Sequence, residues 1–431
     1  MCVLPEVAAP LYDGNMILIT GASGSVGGAV LAEILKTGTP VRALYRSERD
    51  AAQAPAGVAV AIADFADKAS LRPALAGVDT LFLVCSPIRE LVELESNVID
   101  VAAESGVRHV VLNSALGAGD YPKSFPSWHR AVEDKLKASG MGYTIVRPNS
   151  FHQNILAYLA PSIRSQGAFY SSTGEARYSY LDVRDIAAVI AKALVAPAEH
   201  AGKTYELNGP KAVSNAELAG RISRAAGRVV TYVDIPEAAQ RGAMLGMGMP
   251  EWQVEALLDL QRYYTGGQGG EVDDVLAGLL GREPIGLDRF LDEFRDEFAA
   301  VNPKTGMTLP EAKRFVRNHF NEFVNLKNLD IGDVNFAPEF VDHGSDVPPG
   351  MPPGPAGAKA YVGGAYKKFP DITVEILDLI AEDDKVVVRN HWTGTEAASG
   401  KKYQFSGIVI WRIAHRQLVE RWAYLTPPVS E

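Results

Sequence analysis

The sequence feature that most constrains the fold is the run MILITGASGSVGG over residues 16–28. A short apolar stretch, Met16–Thr20, leads into glycines at positions 21, 24 and 27, and a helical pattern follows. Gly21 allows a tight turn, Gly24 lets the backbone approach a pyrophosphate, and Gly27 lets the helix pack closely on the strand. Amide N–H groups at the start of that helix would face the phosphates. The run predicts a dinucleotide-binding loop; the alternative is a tight strand–helix turn without a ligand.

Short apolar runs alternate with helical patterns up to about residue 150. The runs predict strands at Met16–Thr20, Val41–Arg46, Val58–Ala63, Thr80–Cys85, His109–Asn113 and Tyr143–Arg147. Strands that alternate with helices indicate βαβ units and a parallel sheet covered on both faces. Beyond residue 150 the pattern loosens into loops, short strands and helices, which suits a substrate-binding cap.

A second change of pattern follows the helical stretch Leu287–Phe298, where Pro303 and Gly306 interrupt the chain. Helical patterns then continue to about Asn328, and a Pro- and Gly-rich loop is predicted over Val347–Gly357. Alternating patterns predict strands at Ile372–Ile380, Lys385–Thr393, Tyr403–Ile413 and Leu418–Leu425. We therefore predict an α/β domain of the Rossmann type over residues 1–300 and an α+β domain over residues 301–431.

The end of the second predicted strand indicates which dinucleotide is bound. An NAD site usually places Asp or Glu there, but this strand ends in Tyr45-Arg46-Ser47. Arg46 is suited to pair with a 2′-phosphate, so we predict NADPH; the alternative is a solvated surface arginine. Asp64 and Phe65 are expected to flank the adenine, or else to form a helix N-cap and a packed ring. The predicted cofactor contacts are Gly21, Ser23, Gly24, Ser25, Val26, Gly27, Arg46, Asp64, Phe65 and Ser86.

Composition excludes several classes of function for this 431-residue chain. The formal net charge is −10 and the chain has no long run of Lys and Arg, so no nucleic-acid partner is expected. No stretch of 18 apolar residues and no signal segment is present, so we expect a cytoplasmic protein without a membrane span. The two cysteines, Cys2 and Cys85, lack a zinc-type spacing, so no metal site is expected and Cys85 is interpreted as a buried structural thiol.

An ordered series of motifs in the first 300 residues resembles the NmrA-like branch of atypical short-chain dehydrogenases. Besides the glycine run, the resemblance rests on HVVLNSALGAGD (109–120), SGMGYTIVRPNSFHQN (139–154), YSYLDVRDIAAVI (178–190) and LLGREPIGLDRFLDEF (279–294). It implies an NADPH-dependent reductase of quinone or isoflavone type, or a redox sensor that binds the dinucleotide without turnover.

The same resemblance identifies catalytic candidates. Ser114 fits the serine position of short-chain dehydrogenases, but the stretch expected to hold Tyr-x-x-x-Lys reads Trp128-His129-Arg130-Ala131-Val132-Glu133. His129 falls near the lysine used by isoflavone-type reductases, and an unperturbed histidine can donate a proton at neutral pH. Its alternative role is a cofactor contact or packing on its helix. Hydride transfer to a quinone or an activated enone needs no protein base.

Residues 311–425 resemble SnoaL-like polyketide cyclases, small α+β domains with a cone-shaped barrel around a hydrophobic cavity. The resemblance rests on HFNEFVNLKNLD (319–330), FAPEFVDHGSDVPPGMPPGPAG (336–357), FPDITVEILDLIAEDDKVVVRNHWTGT (369–395) and FSGIVIWRIAHRQLVERWAY (405–424). In this alignment Val409 and Ala423 occupy the places of the family's His and Asp, and neither can transfer a proton.

Two histidines remain as candidate proton-transfer groups in the second domain. His391 and Arg389 share one face of a predicted strand and are expected to enter the cavity, and Asp342 and His343 precede the Pro-rich loop at its mouth. A structural role is the alternative for each. Val409, Trp411 and Leu425 are expected to line an apolar pocket.

These expectations combine into one hypothesis and two alternatives. The hypothesis is an NADPH-dependent reductase of a hydrophobic aromatic, polyketide-type or quinonoid substrate, whose second domain binds, cyclises or isomerises a related intermediate. The alternatives are an NADPH sensor without turnover and a cofactor-free cyclase or isomerase confined to the second domain. Because SnoaL-like domains often pair through their sheets, a homodimer is also expected.

Overall fold

The computed structural model describes residues 16–344 and 346–430, so Cys2 lies outside the described residues. The chain divides into two compact units. The first comprises residues up to 161 together with 168–295, and the second comprises residues 162–167 together with those from 296 onward. No helix among the described residues is long and apolar enough to cross a membrane.

The first unit is built on strands that run mostly in parallel. In chain order they are β1 (Ile17–Ile19), β2 (Val41–Tyr45), β3 (Ala59–Ile62), β4 (Thr80–Leu83), β5 (His109–Asn113), β6 (Gly142–Pro148), β7 (Ala168–Ser171), β8 (Arg177–Tyr178), β9 (Lys203–Leu207), β10 (Val213–Ser214) and β11 (Thr231–Asp234). Seven of them form one parallel sheet in the order β3-β2-β1-β4-β5-β6-β9. β10 pairs with β8 and β11 pairs with β7 outside this sheet.

Helices cover both faces of the parallel sheet. In chain order, the helices up to residue 293 are α1 (Ser25–Thr37), α2 (Glu48–Ala51), α3 (Lys68–Leu75), α4 (Leu91–Glu104), α5 (Ser124–Ala138), α6 (His152–Asn154), α7 (Ala160–Gln166), α8 (Val183–Val195), α9 (Pro197–His200), α10 (Asn215–Ala226), α11 (Glu237–Gly246), α12 (Glu251–Thr265), α13 (Val275–Leu280) and α14 (Leu287–Glu293). Most of α7 belongs to the second unit. A π-helical turn, Ile155–Leu159, lies between α6 and α7, and a 3₁₀ turn, Arg295–Phe298, follows α14.

Two hydrophobic cores explain why these strands are apolar throughout. One core packs α1, α8 and α13 against one face of the sheet, and the other packs α3, α4 and α5 against the opposite face. The central strands β1, β4 and β5 are buried at every position, as expected for a parallel sheet covered on both sides. The predicted α/β Rossmann-type architecture is confirmed. The strand order reverses between β1 and β4, which places a crevice at their carboxyl ends.

The second unit places helices before a run of strands. Its elements are β12 (Val301–Asn302), β13 (Met307–Thr308), α15 (Leu309–Phe320), a π-helical turn (Asn321–Asn325), α16 (Ile331–Asn335), β14 (Phe336–Asp342), α17 (Gly354–Lys368), β15 (Thr373–Glu382), β16 (Lys385–Thr395), β17 (Lys402–Ala414), β18 (Gln417–Leu425) and β19 (Val429–Ser430). A capping box, in which Thr308 and Glu311 bond each other's backbone amides, starts α15.

The main sheet of the second unit has the order β14-β18-β17-β16-β15, with β19 added to β17. β14 runs parallel to β18, and the other neighbours are antiparallel. The α+β layout predicted for this domain is confirmed, and because no pairing joins β14 to β15 among the described residues, its mixed sheet is open. Its inner face packs against α15, with Val316 and Phe320 in the core.

Two predicted boundaries differ from the structure. The helical stretch Leu287–Phe298 is helix α14 followed by a 3₁₀ turn, since regular helix ends at Glu293. The Pro- and Gly-rich loop ends earlier than predicted, because α17 begins at Gly354 with a proline in its first turn. Proline suits that position since the first helical amides have no partner within the helix.

Candidate functional site

The glycine loop of the first unit has the geometry of a phosphate cradle. Gly21 has a φ of +60°, and its carbonyl accepts a 2.8 Å hydrogen bond from the amide of Gly24. A Cβ on Gly27 would lie 2.2 Å from the Gly21 carbonyl oxygen, and one on Gly24 would lie 3.3 Å from it. No described side chain caps the start of α1, and its first turn contains no acidic residue. The loop therefore presents backbone amides to an anion at close range.

The other loop residues divide into exposed and buried groups. Ser23 and Ser25 are exposed beside Gly24, whereas Val26 packs its side chain into the core between the sheet and α1. Only the backbone of Val26 is thus available to a ligand. This division fits a phosphate group, which needs hydroxyls and amides rather than apolar side chains.

Arg46 lies at the carboxyl end of β2, next to the strand that carries the glycine loop. Its side chain is exposed, and no ion pair joins it to any carboxylate of the described residues. Ser47, the next residue, caps α2. Arg46 is therefore free to pair with an added anion at the edge where the loop lies.

The remaining predicted cofactor residues also lie at the carboxyl ends of strands. Asp64 follows β3 and bonds the amide of Ala66, but the residue that caps α3 is Asp67, so the expected N-cap at Asp64 is wrong. Phe65 is partly buried against the α3–α4–α5 core. Ser86 is exposed beyond the end of β4.

A buried acid lies beneath the end of β4. Glu95 of α4 is completely buried and no side chain bonds its carboxylate; burial raises its pKa to about 8, although the Cys85 backbone acts in the opposite direction. Burial, reinforced by Glu95, raises the pKa of the Cys85 thiol to about 12. Cys85 is only partly buried, but its thiol remains protonated at neutral pH, in keeping with a structural role.

Ser114 is held in a buried network at the end of β5. Its hydroxyl donates a 2.7 Å hydrogen bond to Glu133 Oε1, and Arg147 donates to both oxygens of that carboxylate at 2.8 and 2.7 Å. Burial would raise the pKa of Glu133, but the hydrogen bonds from Arg147 and Ser114 outweigh it and the pKa is lowered. Because its proton points at Glu133, the Ser114 hydroxyl acts as an acceptor toward any further group.

His129 lies on α5, one turn before Glu133. Burial lowers its pKa to about 4, although Glu133 acts in the opposite direction, and its Nδ1 atom is buried without a hydrogen-bond partner. This environment differs from that of an unperturbed histidine. The imidazole is neutral at pH 7, so it holds no imidazolium proton to give to a substrate.

A second group of polar side chains follows β6. Asn149 is buried and donates to Asn208 Oδ1 and to the Gly269 carbonyl, both at 2.9 Å. The hydroxyls of Ser150 and Tyr264 lie 2.9 Å apart. Tyr264 also lines a cleft of about 710 Å³, the rest of whose wall is formed by Ser172, Thr173, Gly174, Glu175, Ala176, Arg177, Asp234, Thr265, Gly267, Gly270 and Glu271.

In the second unit, both predicted histidines lie outside the core. Val386, Val388 and Asn390 of β16 are buried, so the alternating residues Arg389 and His391 point to the other face of the sheet. Arg389 is exposed and pairs with Asp378, and His391 Nδ1 lies 2.9 Å from the Ser406 hydroxyl. The expectation that Arg389 and His391 enter the cavity is wrong.

His343 also lies on the outer face of the second unit. Its ring stacks on Trp422 with centroids 5.0 Å apart, and its Nε2 lies 3.5 Å from Glu420 Oε1. The preceding residue, Asp342, points the other way and pairs with the buried Arg421. Asp342 and His343 thus lie on opposite faces, and His343 points away from the inner face.

The inner face of the second unit is mainly apolar. Val409 and Ala423 are buried opposite each other on β17 and β18, and Trp411 packs beside them. Arg421 is the buried cation of this face and bonds Asp342 and Asp346 at 2.8 and 3.0 Å. Burial, reinforced by Arg421, lowers the pKa of nearby His319 to about 3. None of these groups is poised to exchange a proton near pH 7.

Comparison with known proteins agrees with this geometry in both units. Residues 13–279 match the profile of the NmrA-like family. The chain belongs to the NmrA-like family. Residues 314–425 match the SnoaL-like polyketide cyclase profile, so the chain is a fusion of an NmrA-like domain with a SnoaL-like domain, as the two resemblances predicted.

Named relatives match the NmrA-like domain over most of their own length. An NAD(P)H azoreductase of Xenophilus azovorans is 37% identical over 271 residues, which cover 62% of this chain and 92% of that protein. Quinone oxidoreductase 2 of Escherichia coli (strain K12) is 33% identical over 273 residues, 62% of this chain and 94% of that protein. The crystal structure of the Escherichia coli NADPH-dependent quinone oxidoreductase complexed with NADPH has a TM-score of 0.60 and 31% identity, and covers 65% of this chain and 99% of that one.

Several buried polar residues of this NmrA-like chain were not predicted to have a role. Arg147 ends the apolar stretch YTIV, and a charged residue there requires a buried partner, which is Glu133. Arg421 alternates with Ala423 and Leu425, so strand periodicity alone would have placed it on the inner face. The sequence gives no such signal for Glu95, because no oppositely charged side chain pairs with its carboxylate.

Proposed function

We propose that the NmrA-like domain is an NADPH-dependent reductase of a small hydrophobic substrate with an aromatic or quinonoid ring. The observation that carries the proposal is Arg46, an exposed arginine without an ion pair beside a glycine cradle that a Cβ would fill. An arginine at this place favours the 2′-phosphate of NADPH. The names of the azoreductase and quinone oxidoreductase relatives support the substrate class.

Each predicted cofactor residue has a proposed part in binding, and so has Ser114. Amides of Gly21, Gly24 and Gly27, with the hydroxyls of Ser23 and Ser25, bind the phosphates, and Arg46 binds the 2′-phosphate. Backbone groups of Val26 complete the loop, while Asp64 and Phe65 border the adenine and Ser86 the rest of the cofactor. Ser114, whose proton points at Glu133, accepts a hydrogen bond from cofactor or substrate. Bound NADPH supplies a hydride.

The lack of a ready proton donor at the site limits which substrates the domain can reduce. His129 is neutral at pH 7 and Ser114 is engaged with Glu133, so neither donates a proton readily. A substrate that accepts hydride at a conjugated position and takes its proton from water is therefore favoured over a simple ketone. Quinones have this property.

The test compares NADPH and NADH consumption by the full-length protein with quinones as acceptors. Wild type is expected to prefer NADPH, and Arg46→Gln is expected to lose affinity for NADPH by about tenfold or more, with little change for NADH, since a charge-assisted phosphate contact is removed. Arg224→Gln, an exposed arginine at the end of α10, serves as the matched control. Equal use of NADH and NADPH by wild type would contradict the assignment of Arg46.

A sensor without turnover is the second candidate. It is favoured by the lack of a proton donor, since the chain offers neither the Tyr-Lys pair nor a charged His129. It predicts tight NADPH binding and no consumption with any quinone. The consumption assay above therefore decides between the two candidates.

We further propose residues 1–300 and 301–431 as the functional domains, with the SnoaL-like domain as a binding module for a related polyketide-type intermediate. Val409 and Ala423 leave its inner face without the family's acid and base, and His391 and His343 point outward. Equilibrium dialysis of NADPH-free protein with anthraquinone-2-sulfonate tests binding. Ala423→Leu, which adds volume on the inner face, is expected to weaken it. Unchanged binding in a folded variant would contradict this placement.

We also propose that the outer face of the second unit pairs two copies of the chain. Val387, Ile408, Ile410, Trp422 and Tyr424 lie next to one another on that face across β16, β17 and β18. Ile408 and Tyr424 are 44% and 65% exposed, which is unusual for adjacent large apolar side chains. Light scattering is expected to give a dimer for wild type and a monomer for Ile408→Glu; a monomeric wild type would contradict it.

A further inference from the structure

Two tryptophans of the NmrA-like domain meet where α5 and α12 pack. Trp128 lies in the second turn of α5 and Trp252 in the first turn of α12, with ring centroids 6.2 Å apart and planes inclined by 45°. Phe125 packs edge-on against Trp128 at 5.0 Å. Phe125 is buried, but both tryptophans remain partly exposed. Each of the two large rings thus keeps part of its surface exposed.

Two hydrogen bonds from side chains to backbone carbonyls hold α12 beside the start of α5. Ser124, which begins α5, has a φ of +56°, a conformation that residues other than glycine rarely adopt. Its hydroxyl donates a 2.6 Å hydrogen bond to the carbonyl of Ala256, and the Tyr121 hydroxyl donates at 3.0 Å to that of Asp259. Both acceptors are backbone atoms of α12. The strained start of α5 is therefore tied to the helix that carries Trp252.

The pair lies at the same edge of the sheet as the glycine loop. β5 ends at Asn113, and residues 114–123 lead into α5, so the first turns of α5 follow the carboxyl end of this strand. Ligands of open α/β sheets bind outside the carboxyl ends of the strands. Trp128 packs against the same core as Phe65, one of the predicted cofactor contacts. The pair is therefore placed at the edge of the sheet where we propose that the cofactor binds.

The hairpin formed by α11 and α12 does not need Trp252 for its own packing. Met244, Val254 and Leu258 form a separate small core within it, with Met249 packed beside them. Met247, at the tip, is 76% exposed. Methionine side chains adapt to aromatic partners of varied shape. Trp252 is thus a large ring left partly exposed, on a hairpin that is already held together by other residues.

We propose that Trp128 and Trp252 determine substrate specificity by stacking a planar substrate of two or more fused rings. The proposal rests on the proposed reductase function and deepens it by naming the shape of the substrate. Aromatic rings interact favourably when their centroids are about 4.5–7 Å apart, so a planar ring at that distance from the tryptophans is held by stacking as well as by burial. A one-ring substrate reaches less of this surface and gains less from it.

The test measures kcat and KM for NADPH-dependent reduction of p-benzoquinone and of the three-ring 9,10-phenanthrenequinone. Trp252→Ala and Trp252→Leu are expected to raise KM for the three-ring quinone about tenfold, since about 1.4 kcal/mol corresponds to a factor of ten. KM for benzoquinone and both kcat values are expected to stay within about twofold, because stacking binds ground state and transition state alike. Trp252→Phe is expected to restore most of the affinity.

Leu and Phe variants keep the test decisive if the Ala variant does not fold, because both retain an apolar side chain. Tyr158→Ala removes an exposed aromatic ring elsewhere in the same unit and serves as the matched control. An equal rise of KM for both quinones, or no difference between Leu and Phe, would overturn the specificity role and leave the reductase function standing. Wild type that binds NADPH but reduces neither quinone would overturn both.

Discussion

At the scale of single residues, Glu133 connects stability to the site. Its carboxylate is completely buried, and it joins Ser114 on one side to Arg147 on the other. Removing one partner of a buried ion pair leaves the other charge uncompensated, which costs more than the pair contributes by itself. The orientation of Ser114 therefore depends on the ion pair behind it.

Glu133→Gln is expected to lower the free energy of unfolding by about 3 kcal/mol or more, since it leaves Arg147 largely buried with only its outer partner. Glu206, that outer partner, has a side chain that is 51% exposed. Glu206→Gln is therefore expected to cost less than about 1 kcal/mol. Denaturant unfolding of both variants checks the difference. Equal losses would show that the buried carboxylate has no special part in stability.

His129 gives a second prediction, on the pH dependence of stability. Its pKa is about 4 in the folded chain and about 6.5 when unfolded, so the unfolded state binds the proton first as pH falls. The contribution of neutral His129 to the free energy of unfolding is complete above about pH 6.5 and is lost on acidification through pH 4. Between about pH 7.5 and about pH 5 the loss is about 2 kcal/mol. His129→Leu is expected to make the unfolding free energy at about pH 5, relative to about pH 7.5, higher by that amount than in wild type, measured by denaturant unfolding at both pH values. Glu95, whose pKa is about 8, contributes in the opposite direction in both proteins.

His415, which is exposed, provides the control for this experiment. His415→Gln is expected to keep the pH dependence of wild type. If His129→Leu also kept it, the imidazole would have to be solvated in the folded chain, and a proton-donor role for His129 would become tenable again.

At the scale of elements, sequence patterns predicted the parallel sheet well because its strands are apolar throughout. β4 and β5 lie where the runs Thr80–Cys85 and His109–Asn113 placed them, to within two residues. The buried and exposed faces of strands in the second unit were harder to predict. β16 reads VVVRNHW, so both sets of alternating residues begin with valine. A shift of one residue exchanges the faces, and this put Arg389 and His391 on the wrong side.

Side-chain partners could not be predicted at all from local pattern. Ser114 was expected at the site from its place after β5, but Glu133 and Arg147, which orient it, come from α5 and β6. The pKa of His129 depends on burial by neighbouring elements, which the composition of α5 does not reveal. Sequence thus predicted the tight geometry of the glycine loop, which is local to the backbone, and missed the networks that depend on packing.

The glycine loop allows a prediction about one element. Gly27→Ala places a Cβ 2.2 Å from the Gly21 carbonyl oxygen, where the obstacle is backbone and must shift. We expect NADPH binding to be lost and stability to fall, by about 1–3 kcal/mol, as in other overpacked sites. Gly220→Ala on α10 meets no atom within 4 Å and is expected to stabilise by about 0.5–1 kcal/mol. Titration with NADPH and thermal melting check both; normal NADPH affinity in Gly27→Ala would contradict the cradle.

At the scale of the whole molecule, each unit has a hydrophobic core of its own. Cores in the first unit flank the parallel sheet, while the core of the second lies between its open sheet and α15. The buried charges follow the same division, since Glu133 and Arg147 belong to one unit and Arg421, Asp342 and Asp346 to the other. Ligands and substitutions should therefore act on one unit at a time.

Calorimetry of the full chain is expected to show this division as two unfolding transitions. NADPH at about 100 times its Kd should stabilise the NmrA-like unit by about 2.7 kcal/mol and raise only the transition of that unit. Arg421→Met leaves Asp342 and Asp346 without their shared cation, so it should lower only the other transition, by a loss of about 3–5 kcal/mol. Arg224→Gln, on the surface of α10, should move neither. A single transition that responds to both changes would mean that the two cores unfold cooperatively, and NADPH would then also stabilise the SnoaL-like unit.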